Sequence, residues 1–108
     1  MMESLGDMHV ADGEVVAAKD IVRAVTAGVL LYEDGARQVF DPSGSTTYTD
    51  RGGDSVGSWS ADGGFCSFWP PSYRACYDLR WIVANNSVVG LTFVDATRGT
   101  QFAGRYQQ

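Results

Sequence analysis

Cys66 and Cys76 are the residues of this chain best placed to form a covalent link. Between them lies Pro70-Pro71-Ser72, a natural turn. If two strands meet about that turn, residues whose numbers sum to 142 face each other. Cys66 then opposes Cys76, Phe68 opposes Arg74 and Phe65 opposes Tyr77. Opposed antiparallel residues lie about 4.5–5.5 Å apart at Cα, which a disulfide tolerates. A disulfide implies an oxidising compartment, hence export. The rival is two reduced cysteines that fill space, and a free-thiol count in denaturant separates the two. Redox catalysis does not fit this spacing, because catalytic thiols sit close together at a helix start.

Aromatic side chains offer the second chemistry. The sequence carries three tryptophans, five tyrosines and five phenylalanines. Trp69 precedes proline and is held extended, while the two prolines stiffen the turn. Trp69 and Tyr73 flank it and form one wall of a ligand mouth. With Trp59, Tyr77 and Trp81 they are the candidate ligand-binding residues, for a small hydrophobic or aromatic ligand. The competing reading makes the same rings core fillers.

Other chemistries find no support, and no catalytic residue, cofactor or metal site is assigned. His9 is the single histidine, so neither a Ser-His-Asp nor a Cys-His arrangement can be built in the β region. Zinc lacks ligands, and no loop has calcium-type oxygen spacing. Asp34, Asp41, Asp50, Asp62 and Asp95 fall at strand ends or turns, where turn chemistry explains each one. Carboxylates or tyrosines meeting at one barrel mouth are what an enzyme would need.

The elements that position these groups follow from the joints. Asp34-Gly35, Asp41-Pro42-Ser43-Gly44, Arg51-Gly52-Gly53, Asp62-Gly63-Gly64, Pro70-Pro71-Ser72, Asn85-Asn86 and Ala96-Thr97-Arg98-Gly99 separate eight hydrophobic runs. None is long enough for a crossover helix, so each strand runs antiparallel to the one before. Strands are expected near 28–33, 36–41, 45–50, 54–61, 64–69, 73–84, 87–94 and 100–105. Asp34-Gly35, read as a two-residue loop, pairs Tyr32 with Arg37 and Leu30 with Val39. In the sixth strand Tyr73, Ala75, Tyr77, Leu79, Trp81 and Val83 share the core face, with Val89, Leu91 and Phe93 matching in the seventh. Gly57, Gly90 and Gly104, inside strands, mark bends or close packing.

Eight consecutive antiparallel strands leave two edges unless the first meets the last. The expected fold is therefore mainly β: an eight-stranded up-and-down meander, closed or nearly closed into a small barrel, with one N-terminal α-helix. An open sheet bent round the helix is the rival. Residues 1–13 read as a flexible leader and 14–108 as the single domain. The helix is expected from Glu14 to about Thr26, with Asp12 as N-cap and Val15, Val16, Ile21, Val22 and Val25 on its apolar face.

Bulk properties narrow the partners. The chain of 108 residues supports one domain, and 44% hydrophobic residues support a core. Net charge is −5, and the seven arginines are scattered, which argues against nucleic acid. No apolar stretch approaches the roughly 20 residues of a membrane span. The start, Met1 to Asp7, shows neither a basic region nor an apolar one, so no signal peptide is read there.

One resemblance adds to this. Tyr32-x-x-Gly35-x-x-Gln38-x-Phe40, Tyr48, Gly57-x-Trp59, Cys66-Ser67-x-Trp69-Pro70-Pro71 and Cys76-Tyr77 together resemble small exported proteobacterial domains of unknown function with a lipocalin-like, or calycin-like, barrel. The likeness covers about Gly28 to Leu79 and implies a periplasmic or secreted home but no catalytic residues. Periplasmic lysozyme inhibitors are a more distant likeness. The leading expectation is thus a non-enzymatic small-ligand-binding barrel. The alternatives are a protein–protein module such as a periplasmic hydrolase inhibitor, with a protein partner, and an enzyme using carboxylate or tyrosine groups at the mouth.

Overall fold

Short Gly-, Asp- and Pro-rich joints turn the chain seven times, and the structure, a computed structural model, closes the result into a barrel. It describes Leu5 and residues 8–107. A 3-10 turn (Ala18–Asp20) leads into α1 (Ile21–Thr26). Then come β1 (Leu30–Tyr32), β2 (Arg37–Phe40), β3 (Ser45–Asp50), β4 (Gly53–Ser60), β5 (Phe65–Trp69), β6 (Tyr73–Ala84), β7 (Ser87–Asp95) and β8 (Gln101–Tyr106). Every neighbouring pair is antiparallel, and β8 returns to β1 through Leu31↔Arg105. Closure leaves no long sheet edge for aggregation, and the open bent sheet is ruled out.

The expected strands are all present, with each end within two residues of its expected place. Three local expectations need correction. First, β1 and β2 pair as Leu30↔Gln38 and Leu31↔Arg37, one residue off the expected register. The loop has three residues, Glu33-Asp34-Gly35: Tyr32 N–H donates to the Ala36 carbonyl, and Gly35 takes φ +89°. The Asp34 carboxylate accepts from Ala36 N–H at 3.0 Å and fixes that turn. A one-residue slip exchanges the two faces. Gln38 and Phe40 are therefore buried, and Val39 is exposed.

Second, the helix is only six residues long, Ile21–Thr26. Residues 12–16 instead run beside the half of β6 that β5 does not reach. Gly13 N–H donates to Trp81 O, Trp81 N–H to Glu14 O, and Val16 N–H to Leu79 O. Asp12 caps no helix; its Oδ1 accepts from Val83 N–H at 2.9 Å. The free edge of β6 satisfies these backbone groups, and β-branched Val15 and Val16 suit an extended chain. Third, the β6–β7 ladder shifts between Ile82 and Val83, so Val83 pairs with Val88 and Gly90 follows with Ile82. Val88, not Val89, packs on the core.

Residues 1–4, 6 and 7 of the expected leader lie outside the described residues. Met8 and Val10 pack against the core, and His9 is exposed.

The closed end of the barrel holds the apolar core. Ile21, Ala24 and Val25 of α1 pack with Leu30, Leu79, Trp81, Leu91 and Tyr106. The Tyr106 hydroxyl donates to the Ala24 carbonyl and ties the last strand to α1. Among the described residues no buried side-chain polar atom lacks a hydrogen-bond partner.

Cys66 and Cys76 are directly opposed and disulfide-bonded, with Cα atoms 4.0 Å apart. They share the outer face with Phe68 and Arg74, away from the interior. Replacing both with serine is expected to cost about 2.8 kcal/mol by loop-closure entropy, since the closed loop is short. Urea denaturation checks this: the variant and reduced wild type should share one lowered midpoint. Equal stability of oxidised and reduced protein would refute it.

Candidate ligand-binding site

Alternation within the strands sends one side chain in two to the interior, and most of those in the middle of the barrel are aromatic. Phe40 of β2, Phe65 of β5 and Phe93 of β7 are nearly inaccessible and meet one another with ring centroids 5.6–6.0 Å apart. Trp59 joins their edge, 6.2 Å from Phe40 and 6.3 Å from Phe65. This ring layer separates the apolar core at the helix end from a cavity of about 1050 Å³ at the other end. Phe40, Phe65 and Phe93 form its floor. Tyr32, Tyr48, Tyr77 and Gln38 stand above them, and Val56, Trp69, Tyr73 and Phe102 reach the rim.

Two wall rings rest on glycines. A Cβ added to Gly57 would meet the Phe68 carbonyl oxygen of the neighbouring strand first and then Trp69 Cε3 at 2.7 Å, and one added to Gly104 would lie 3.0 Å from Tyr32 Cε1. Gly104 thus seats a phenol on bare backbone, and Gly57 admits both the close backbone of β5 and an indole.

A buried hydrogen-bond chain orients the deepest phenol. Tyr32 O–H donates to Gln38 Oε1 at 2.8 Å, Gln38 Nε2 donates to Thr46 Oγ1 at 2.9 Å, and the Thr46 hydroxyl donates to the Val39 carbonyl at 2.8 Å. Each donor has its acceptor, so the chain is rigid.

Burial is the main cause that moves the phenols. It holds Tyr32 far above the ordinary tyrosine value, helped by Tyr48 and Tyr77. Tyr77 is pushed up to about 12 by burial first, then by Tyr73 and Asp95, against a small opposing effect of Arg98. Tyr48 rises through burial, then Asp34 and Asp50. Burial also raises Tyr106 beside α1. Raised above the ordinary value, these groups are neutral hydrogen-bonding phenols at neutral pH. Asp95 and Asp41 move the opposite way: turn hydrogen bonds from Arg98 and Thr97, and from Ser43, hold them below the usual carboxylate range.

The fold binds more protons than the unfolded chain wherever a buried phenol stays neutral above its unfolded value of about 10. The stabilisation is complete below that value. It is lost as pH rises through the folded value, about 12 for Tyr77. Stability should therefore fall on the alkaline side of about pH 10, and phenolate absorbance of the native protein should lag behind that of the denatured protein. Coincident titration curves would contradict the burial of these rings.

Of the five residues picked out by sequence, Trp69, Tyr73 and Tyr77 line the cavity together. Trp59 and Trp81 do not. Trp59 Nε1–H donates to the carbonyls of Asp41 and Ser45 at 2.9 and 3.0 Å, and its ring backs the floor. Trp81 is 1% exposed, in the core beneath α1. Tyr32, Gln38 and Tyr48 also line the cavity and lie outside that set of five. A correct three-residue reading of Glu33-Asp34-Gly35 would have turned Gln38 and Phe40 inward and found two of the lining residues. Among the described residues no group of three or more His, Cys, Asp or Glu gathers to hold a metal ion, and no helix is long and apolar enough to cross a membrane.

Fold and site together define an eight-stranded antiparallel barrel with a helix against one end and an aromatic-walled cavity at the other. No protein-family model, curated protein or solved structure matches the chain.

Proposed function

We propose that this barrel is a non-enzymatic, extracytoplasmic, calycin-like module that binds one small apolar or aromatic molecule. The observation that supports it is the open cavity of about 1050 Å³ floored by Phe40, Phe65 and Phe93. Eight strands leave an interior suited to one small ligand, and a concave, mostly aromatic wall with a few fixed polar groups is the usual form of such a site. The Cys66–Cys76 bond favours an oxidising compartment. Trp69 lines the cavity and supplies the reporter. Titration with planar aromatics and apolar chains should change tryptophan fluorescence saturably and raise the melting temperature. Ser55→Trp, which sets an indole at the mouth beside Tyr48, should abolish both responses. Unchanged fluorescence across the whole panel would sink the reading.

A protein–protein module, such as an inhibitor of a periplasmic hydrolase, is the second reading. It is favoured by the exposed rim residues Val56, Tyr73 and Phe102, which are 63%, 46% and 47% accessible. On that reading, purified hydrolases of the lysozyme type lose activity in the presence of the protein, and Val56→Ser with Phe102→Ser restores it.

A further inference from the structure

The electrical character of the cavity separates one ligand class from the rest, given the small-ligand reading above, on which this inference rests. Among the described residues its lining contains two charged ones, Glu33 and Asp34, both acidic, and neither lysine nor arginine. An anionic ligand such as a fatty acid or a phosphate ester would find no lysine or arginine in the lining, and its carboxylate or phosphate would be repelled by two carboxylates at the rim. A cation meets the reverse. The walls carry the aromatic rings of Tyr32, Tyr48, Tyr77, Phe65 and Phe93, and the face of such a ring attracts positive charge. Three of these rings are phenols whose oxygens also accept hydrogen bonds.

We propose that the cavity selects an organic cation: an ammonium, primary to quaternary, carried on an apolar or aromatic body. The body stacks on the Phe40–Phe65–Phe93 floor. The ammonium sits among Tyr32, Tyr48 and Tyr77, beneath the Glu33–Asp34 rim. Further carboxylates deepen the negative field. Asp50 acts on Tyr48 and Asp95 on Tyr77, and Arg98 opposes at Tyr77 with the weakest of the influences there. The net charge of −5 draws cations toward the molecule from a distance.

The test is a matched series of one shape and three charges. Benzyltrimethylammonium, its neutral tert-butyl carbon isostere and phenylpropionate are titrated into the full chain, with tryptophan fluorescence and calorimetry as readouts. The cation should bind at least about tenfold more tightly than the neutral isostere, and the anion weakest. The variant Glu33→Gln/Asp34→Asn keeps the Oδ1 acceptor that Ala36 N–H needs, and should narrow the gap between cation and neutral isostere. Equal or tighter binding of the neutral or anionic member overturns the charge preference and leaves small-ligand binding standing. Absence of binding by all three, and by the broader panel of aromatics and apolar chains, overturns both.

Discussion

Trp81→Ala is expected to lower stability by about 3–5 kcal/mol, the range for removing a fully buried large aromatic. Trp81 is the largest of the side chains with almost no solvent exposure. It lies in the cluster that joins α1 to the barrel, with Leu30, Leu79, Leu91 and Tyr106. Its removal leaves a cavity at the helix end that a six-residue helix cannot collapse into without leaving Tyr106, whose hydroxyl bonds Ala24 O. A domain of this size has about 5–15 kcal/mol in total, so the melting temperature should drop on the order of 15–30 °C. Trp81→Phe should cost less, because a ring remains. Differential scanning calorimetry of the two variants measures the effect. A loss below about 1 kcal/mol, the ordinary value for a point substitution, would show that the closed-end core is not where the structure puts it.

Gly90→Ala is the second. Alanine ordinarily gains about 0.5–1 kcal/mol over glycine inside a strand, because the unfolded chain has less freedom to lose. At Gly90 the opposite sign is expected. The added methyl carbon would sit 2.1 Å from Gly104 O and 2.9 Å from Arg105 Cα. Those atoms belong to the backbone of β8, so no rotamer change relieves the contact. The β7–β8 ladder must move, and with it the closure of β8 onto β1. A net loss of about 2–4 kcal/mol follows, the upper range for overpacking. Gly104→Ala should cost less: its nearest contact, at 3.0 Å, is the side chain of Tyr32 and not the backbone of a paired strand. That variant should disturb the cavity more than the fold. Urea denaturation ranks the two, and a stabilised Gly90→Ala would refute the packing of β7 against β8.

Much of the architecture was legible because it is local. Asn85 and Asn86 both adopt positive φ, 53° and 64°, in a two-residue turn, and that tolerance is a property of asparagine itself. The Pro70-Pro71-Ser72 joint set the pairing sum that placed Cys66 opposite Cys76. The first hairpin differs from the expected two-residue loop because Asp-Gly also serves three-residue loops, with glycine in the left-handed position. The choice rests on Ala36, which must be buried, and burial is decided by distant parts of the chain. The candidate site was half legible for a similar reason. A tryptophan looks the same in sequence whether it lines a cavity, as Trp69 does, or fills a core, as Trp81 does.

What the amino-acid order determined alone is the count of strands, their antiparallel direction and the opposed placement of the two cysteines. Glycine, proline and asparagine act on their own backbone, and short joints exclude any other connection. What only the tertiary structure decided is closure, the course of residues 12–16 and the cavity. β8 meets β1 across more than 70 intervening positions, residues 12–16 extend because β6 offers a free edge, and the empty space is the difference between the volume the strands enclose and the volume their side chains fill. Each depends on groups that meet only once the chain has folded, so no local signal carries it.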